Sequence, residues 1–341
     1  MSQPHLYTNI DIYRKPFPNF SRPKIIGYIG LENLKYARSL CEKKVELDLN
    51  KCINEVKRKP PDLDVKLNDL LSFLLKNEIR FMKTNNLESA LIFCYRGLMT
   101  CVACTPYENR EPWKIVALLY QDKPDIEPNP DVPLDETEEF SLVFTTNLKN
   151  HKIVYGAEMD GIRCDKQYID AVNISEEPDY IIKYLLDKEF VELKTSRHIE
   201  FANQDRNFRR FKAKKWWCQS FLAGVETIVC GFRNDDGIVE ELKVYKVADL
   251  PKMCRKFWDP SVCLNFLETF FTFVKRCLAR EVKRKYGDNA TNNLQGLPLI
   301  SLLFEWSPGS PVQVSNDYNH DDDPILAEWF LKTFGKNIET K

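Results

Sequence analysis

The sequence predicts an α/β fold of the mixed α+β kind, with strands gathered into mixed sheet and helices flanking it as a single catalytic domain. Three observations predict it. Short apolar runs of strand length recur along the chain, several of them paired across turn residues. Stretches with apolar residues at helical spacing lie between them. The two kinds follow one another without a regular strand–helix–strand rhythm, which argues against a purely parallel sheet.

The elements follow in order. Residues 1–19 are polar, carry Pro4, Pro16 and Pro18, and are expected to form a flexible arm. Phe20 to Tyr28 reads as an extended entry into the domain, which runs to about residue 336 before a short tail at 337–341. Residues 31–60 are charged and mixed and end in the breaker Lys59-Pro-Pro61. Leu67, Leu70, Leu71, Leu74 and Leu75 recur at helical spacing and predict a core helix between Val65 and Met82. Ala90 to Cys94 and Trp113 to Tyr120 are apolar strands, and Arg96 stands just past the first. Residues 121–139 are rich in Pro, Asp and Glu without periodicity, as in an exposed acidic loop. Phe140–Thr145 and Lys152–Met159 form a hairpin across Asn147-Leu-Lys-Asn150. Tyr180–Leu186 is a short strand or helix, and Glu189–Thr195 is a strand.

Arg206 to Leu222 is basic in its first half and aromatic in its second, and reads as a helix; Trp216 and Trp217 are expected in the core. A second hairpin joins Val225–Gly231 to Ile238–Tyr245 through Asn234-Asp-Asp-Gly237. Asp259-Pro260 is a helix start, because the acid caps free N–H groups and proline fits the first helical position. Phe266, Phe270, Phe271, Val274 and Leu278 make that helix a buried one. Leu297–Trp306 and Val312–Val314 are strand-like, His320-Asp-Asp-Asp323 a loop, and a last helix spans residues 325–334.

Composition narrows the function. With 341 residues and 43% hydrophobic content there is ample core, and the formal charge of −1 leaves any nucleic-acid surface to a local patch. No apolar run is long enough for a bilayer and there is no N-terminal leader, so a soluble intracellular monomer is expected. Eleven cysteines at scattered spacing read as reduced, mostly buried thiols. Cys101-Val-Ala-Cys104 stands without a second close pair, which argues against zinc.

Chemistry gathers in three stretches: Tyr155-Gly-Ala-Glu-Met-Asp160, Phe190-Val-Glu-Leu-Lys194 and Lys215-Trp-Trp-Cys-Gln219. On a strand, residues two apart share a face, so Glu158 is expected beside Asp160 and Glu192 beside Lys194. On the helix, Lys212 and Gln219 share a face. Carboxylates on neighbouring strands suit a hard divalent cation, which takes oxygen ligands and substrate phosphate. An adjacent lysine and amide suit the phosphate and its waters. An arginine at the position of Arg96 is either a phosphate ligand or a solvated edge residue. Taken singly, an E-x-D or E-x-K pair is more often the solvated outer face of a strand.

With these residues the chain resembles the DXO family of decapping exoribonucleases. The likeness rests on Tyr95-Arg-Gly-Leu98 with Thr105-Pro-Tyr-Glu108, Gly156-Ala-Glu-Met-Asp160, Val191-Glu-Leu-Lys-Thr-Ser196, Lys215-Trp-Trp-Cys-Gln-Ser-Phe-Leu222, Gly231-Phe-Arg233, Trp258-Asp-Pro-Ser-Val-Cys263 and Glu305-Trp-Ser-Pro-Gly309. It implies two mixed sheets with the active site between them. It implies removal of unmethylated, incomplete or NAD caps or of 5′ pyrophosphate from RNA, and 5′ to 3′ degradation, with Mg²⁺ or Mn²⁺ as cofactor. By motif, Asp160 and Glu192 would hold the metal directly, Leu193 through its carbonyl and Glu158 through water. Lys194 and Gln219 would contact the scissile phosphate, and Arg96 would grip a substrate phosphate. A nuclear 5′–3′ exoribonuclease is the implied protein partner, and the nucleus, with the cytoplasm second, the implied location.

One family motif, Gly-aromatic-Lys-Phe-Glu, is missing between the Arg-Gly motif and Glu158. Its glutamate is a direct metal ligand in the family, and here Tyr120 runs straight into the acidic loop at Gln121. An apparent deletion at 120–121 sets up a second expectation: a weakened or inactive member that holds RNA 5′ ends or the partner exoribonuclease. A third reading takes Asp160 with Glu192-x-Lys194 as the acid pattern of restriction-like DNA nucleases, against which the basic patch offers no groove-reading helix.

Overall fold

The computed structural model describes residues 4–30, 67–76, 87, 90–119, 140–163, 176–292, 294, 297–316 and 318. The expected acidic loop, the junction at 120–121, the His320 loop, the last helix and the tail lie outside the described residues. Their order is β1 (Lys24–Ile29), α1 (Asn68–Lys76), β2 (Ile92–Tyr95), α2 (Arg96–Cys104), β3 (Trp113–Leu119), β4 (Ser141–Leu148), β5 (His151–Glu158), β6 (Gly161–Arg163), α3 (Pro178–Leu186), β7 (Glu189–Arg197) and α4 (Ala202–Asn207). A widened π turn (Phe208–Lys212) leads into α5 (Ala213–Leu222), then β8 (Thr227–Arg233), β9 (Val239–Lys246), α6 (Leu250–Met253), α7 (Pro260–Tyr286), β10 (Ile300–Trp306) and β11 (Gln313–Ser315).

Among the described residues these strands form three sheets, two of them mixed. The first has the order β1-β4-β5-β2, with β2 parallel to β5 and the other pairs antiparallel. The second mixed sheet has the order β6-β7-β8-β9, with β7 parallel to β8. A small antiparallel sheet, β11-β10-β3, completes the set. The β4–β5 hairpin turns at Lys149, whose φ of 49° is the left-handed conformation such a tight turn demands. Tyr180–Leu186 is helical, with Pro178 at its first position.

The helix opening at Pro260 runs 27 residues, and the Asp259 side chain accepts the Ser261 amide proton as expected of a cap. Its apolar stripe is the centre of the core. Phe266 meets Tyr13 edge-on at 5.0 Å between centroids, and Phe270 meets Trp113 at 5.6 Å. Trp216 and Trp217 are core residues: Trp217 stacks on Phe221 at 4.8 Å and lies 5.5 Å from Trp258. The eight cysteines among the described residues are free thiols, all buried except Cys101.

The polar N-terminal stretch is not an arm where it is described. Leu6 bridges to Val312, and Tyr13 is buried with its hydroxyl donating to the Tyr7 carbonyl. Asn265, buried on α7, turns its amide to the carbonyls of Tyr13, Lys15 and Pro16 at 3.3, 3.2 and 3.1 Å. Proline-rich polar sequence packs here because one buried side chain satisfies its carbonyls. Asn265→Ala is expected to cost about 1–3 kcal/mol in denaturant unfolding, the range for orphaning buried polar groups. Backbone amides of residues 6–15 should lose hydrogen-exchange protection first.

Gly156 lies opposite Tyr95 in the parallel pair, and a Cβ there would sit 2.8 Å from the Tyr95 ring. The glycine lets β2 and β5 approach with a ring between them, and so sets where both strands end. Those ends carry Arg96 and Glu158.

Candidate active site

The site lies where the chain passes from the first mixed sheet to the second. In open α/β sheets, binding sites form beyond the carboxyl ends of parallel strands. Here β2 ends at Tyr95 and hands Arg96 to the first turn of α2, while β5 ends at Glu158. The chain leaves the first sheet through Met159 and Asp160 and pairs again as β6, with Gly161 opposite Val191. One step back along that antiparallel register sets Asp160 abreast of Glu192.

The side chains converge as that register requires. Glu192 is buried, its side chain 2% exposed. Its Oε2 accepts from Arg96 Nη1 at 3.0 Å and its Oε1 from Lys194 Nζ at 2.5 Å. Lys194 Nζ is also 3.8 Å from Asp160 Oδ2, and that oxygen accepts the Leu193 amide proton at 2.8 Å. Two carboxylates and two cations, from β2/α2, the β5–β6 link and β7, thus form one network. It is close to neutral by itself, which is how a carboxylate as buried as Glu192 is tolerated.

Asp160 has a carboxyl pKa raised above the usual aspartate value. Desolvation is the main cause and the negative charge of Glu192 the second; the Leu193 amide, Lys194 and Arg96 oppose them. The sign for stability follows. The folded chain holds this proton more tightly than the unfolded chain, so the penalty for ionising Asp160 is absent below the unfolded value near 4, grows above it and is complete once pH exceeds the folded value. Asp160→Asn keeps an acceptor for the Leu193 amide and removes the charge. It is expected to raise the thermal midpoint at pH 7, with the gain fading as pH falls toward about 4 and absent below it. A lower midpoint at pH 7 would show that the charge stabilises the fold instead.

The structure corrects the expected geometry in three places. Asp160 is not on the strand with Glu158: β5 ends at Glu158, and Asp160 belongs to the link. Glu158 is exposed at the strand end, while Asp160 has turned toward β7. The expected gathering of three acids is therefore not formed: among the described residues no three His, Cys, Asp or Glu side chains meet where they could hold a metal. Arg96 is not a solvated edge residue: it is buried and paired with Glu192.

Glu192 and Lys194 share one face of β7 as their spacing requires, and Ser196 continues the row. Leu193, on the other parity, is half exposed. Gln219 is half-buried on α5, seven residues beyond Lys212, whose Nζ donates to Ser196 Oγ at 3.0 Å. Seven residues is two helical turns, so Gln219 lies on the helix face turned to the Glu192–Lys194–Ser196 row. The α5 C-terminus is tied to the first sheet by the Tyr155 hydroxyl, which donates to the Leu222 carbonyl. The Arg96–Glu192 pair spans 96 residues of sequence and had no local signal beyond an arginine closing an apolar run. Lys214 was equally hidden: it is fully buried, with Nζ 3.4 Å from the Cys104 carbonyl and 5.6 Å from the Tyr107 ring centre.

The family model of RAI1-like PD-(D/E)XK nucleases matches this chain over residues 28–123 and 120–331. The human decapping and exoribonuclease protein is 28% identical over 394 aligned residues, covering 98% of this chain and 91% of its own length. That alignment is longer than the 341 residues of this chain, so it carries gaps on this chain's side. The family match divides at residues 120–123. Among solved structures, Scheffersomyces stipitis Rai1 in complex with 3′-NADP⁺ and calcium has a TM-score of 0.64 at 17% identity, covering 97% of this chain and 99% of that one. Candida albicans Rai1 in complex with pU5 and Mn²⁺ has a TM-score of 0.63 at 16% identity, covering 97% and 99%. At these identities the two structures share the fold.

Proposed function

The chain belongs to the RAI1-like PD-(D/E)XK nuclease family, and from that premise we propose that it is a divalent-metal-dependent hydrolase of RNA 5′ ends. Its substrates are unmethylated or incomplete caps, NAD caps and 5′ pyrophosphate, with 5′ to 3′ degradation following. The observation that carries this reading is the convergence of Asp160, Glu192, Lys194 and Arg96 from three separate elements around the buried Glu192 carboxylate.

The donor set fits Mg²⁺ or Mn²⁺. Such ions need one or two carboxylates, with water and substrate phosphate completing the shell. Asp160 and Glu192 are two carboxylates close enough to raise the Asp160 pKa, a repulsion a cation would relieve. They would hold the metal directly. In a strand, a residue's N–H and C=O leave on the same side, so the Leu193 carbonyl faces Asp160 as its amide does and supplies a third oxygen. Glu158, at the neighbouring strand end, would reach the ion through water. When bound, the ion supplies Lewis acidity and a water of lowered pKa.

The remaining roles belong to the chain. The resting network balances two negative charges against two positive ones, so an arriving phosphate adds net negative charge that a divalent ion offsets. Lys194 is the mobile partner: it already spans both carboxylates and can turn to a phosphoryl oxygen or an attacking water. Arg96 holds Glu192 in position and offers the rest of its guanidinium fork to a substrate phosphate. Gln219 faces the same row and orients the phosphate or its water.

Incubating the full chain with NAD-capped, unmethylated-capped and 5′-triphosphate RNA, with Mn²⁺ or with chelator, tests the proposal. Release of NAD, cap nucleotide or pyrophosphate only with metal is expected. Equal release in excess chelator would overturn it.

A second reading is favoured by one specific observation: the family match divides at 120–123, where the motif with a further metal-binding glutamate is missing. On that reading the chain binds 5′ ends, or a nuclear 5′–3′ exoribonuclease, in the nucleus and secondarily the cytoplasm, with little or no hydrolysis. Specific RNA binding without product at millimolar Mn²⁺ would favour it over the first.

A further inference from the structure

We propose that Lys212 is a second phosphate contact for the RNA body, set downstream of the reacting phosphate at the far end of the Glu192–Lys194–Ser196 row. The inference deepens the RNA-hydrolase reading and rests on it.

Four observations converge. First, Ser196 shares the face of β7 that carries Glu192 and Lys194, and its hydroxyl is buried. Four strand residues at about 3.3 Å each put it roughly 13 Å beyond Glu192, a distance that a stacked single strand covers in a few nucleotides. Second, Lys212 Nζ donates to that hydroxyl at 3.0 Å. A hydroxyl is a neutral partner, and no carboxylate among the described residues pairs with this amine. Every other cation of the site has one: Arg96 and Lys194 both hold Glu192. Third, Arg233 and Arg197 lie near enough to act electrostatically on Lys212, an exposed residue whose amine is partly desolvated; desolvation first, and then these two arginines, depress its pKa. Arg197 pairs with the exposed Asp235 at 3.4 Å, a pair that water screens. Glu240 is taken up by His198 and Asn234, so the amine of Lys212, with only a hydroxyl as partner among the described residues, is the cation of this group left to meet an anion. Fourth, Lys212 closes the π turn that separates α4 from α5. Such widened turns are rare and recur at functional sites, because the extra residue re-aims the side chains around it.

The competing structural account is that Lys212 merely satisfies a buried hydroxyl. That account does not explain why a lysine, rather than a neutral donor, is held beside two arginines.

The test compares binding of 5′-monophosphorylated oligouridylates of one and five nucleotides to the full chain in chelator, across a salt series, for the parent, Lys212→Gln and Lys212→Arg. For Lys212→Gln the pentanucleotide is expected to bind roughly five- to tenfold more weakly. Its log-affinity against log-salt slope should shrink by about 0.7, the value for one single-strand phosphate contact. Mononucleotide affinity should be unchanged, and Lys212→Arg should restore most of the loss. Equal losses for both lengths would place Lys212 at the reacting centre and overturn the proposal. So would unchanged binding of both, including the case where Lys212→Gln lowers only the thermal midpoint. A parent chain with no affinity for either RNA, in chelator and again with Ca²⁺ added, would overturn the underlying hydrolase reading together with this one, whereas failure of the variant pattern alone leaves that reading standing.

Discussion

Glu192→Gln is expected to lower metal-dependent product release from RNA 5′ ends by at least about 100-fold, the scale of losing one group that stabilises transition-state charge. Glu192 occupies the middle of the network: Arg96 takes one oxygen and Lys194 the other. Glutamine keeps the shape and one acceptor but loses the charge that would hold a divalent ion, and its NH₂ group would face a cation. RNA binding should persist, because the phosphate-binding cations remain. Stability distinguishes this variant from Glu192→Ala. Alanine strands the buried Arg96, whose side chain is 10% exposed, beside a void. Breaking a buried pair from one side costs about 3–5 kcal/mol. Denaturant unfolding should therefore show a large loss for alanine and a smaller one for glutamine, while product release shows near-complete loss for both. Activity retained in Glu192→Gln would remove this carboxylate from the chemistry.

Arg96→Ala is the other large effect. It leaves Glu192 as a buried carboxylate with Lys194 as its remaining cation, and about 3–5 kcal/mol of stability is expected to go. Product release should fall as well, since Lys194 is then drawn to Glu192 and away from a phosphate. A double-mutant cycle separates the two roles. If the arginine acts on stability through Glu192, Arg96→Ala combined with Glu192→Gln should cost about 0.5–3 kcal/mol less than the two changes added. Simple additivity in unfolding would show that Arg96 stabilises the fold through other contacts. Arg96→Lys keeps a charge but loses the planar fork, so it should recover stability better than activity.

The elements were largely legible because their signals are local. Alternation put Glu192 and Lys194 on one face of β7, and burial from Glu192 to Arg197 follows it. Asp259-Pro260 announced the long helix, and the apolar stripe of that helix became the core. Other features had no local signal. Glu158 and Asp160 are two apart and so read as one strand face, yet the chain changes sheets between them, and hydrogen bonding to Leu193 outweighs alternation. The polar N-terminal stretch read as free because the residue that fastens it, Asn265, lies about 250 residues away.

By itself the sequence determined the kind of chemistry: an acid, then acid-x-lysine, in strands, with a basic aromatic helix to follow. Periodicity, turn residues and motif spacing act over a few residues, and a linear chain displays them directly. Only the tertiary structure decided which charges meet. Arg96, Asp160, Glu192 and Lys194 come together because a parallel pair, a change of sheet and an antiparallel register stack three distant segments. A buried charge is stable only beside the partner that this stacking brings to it.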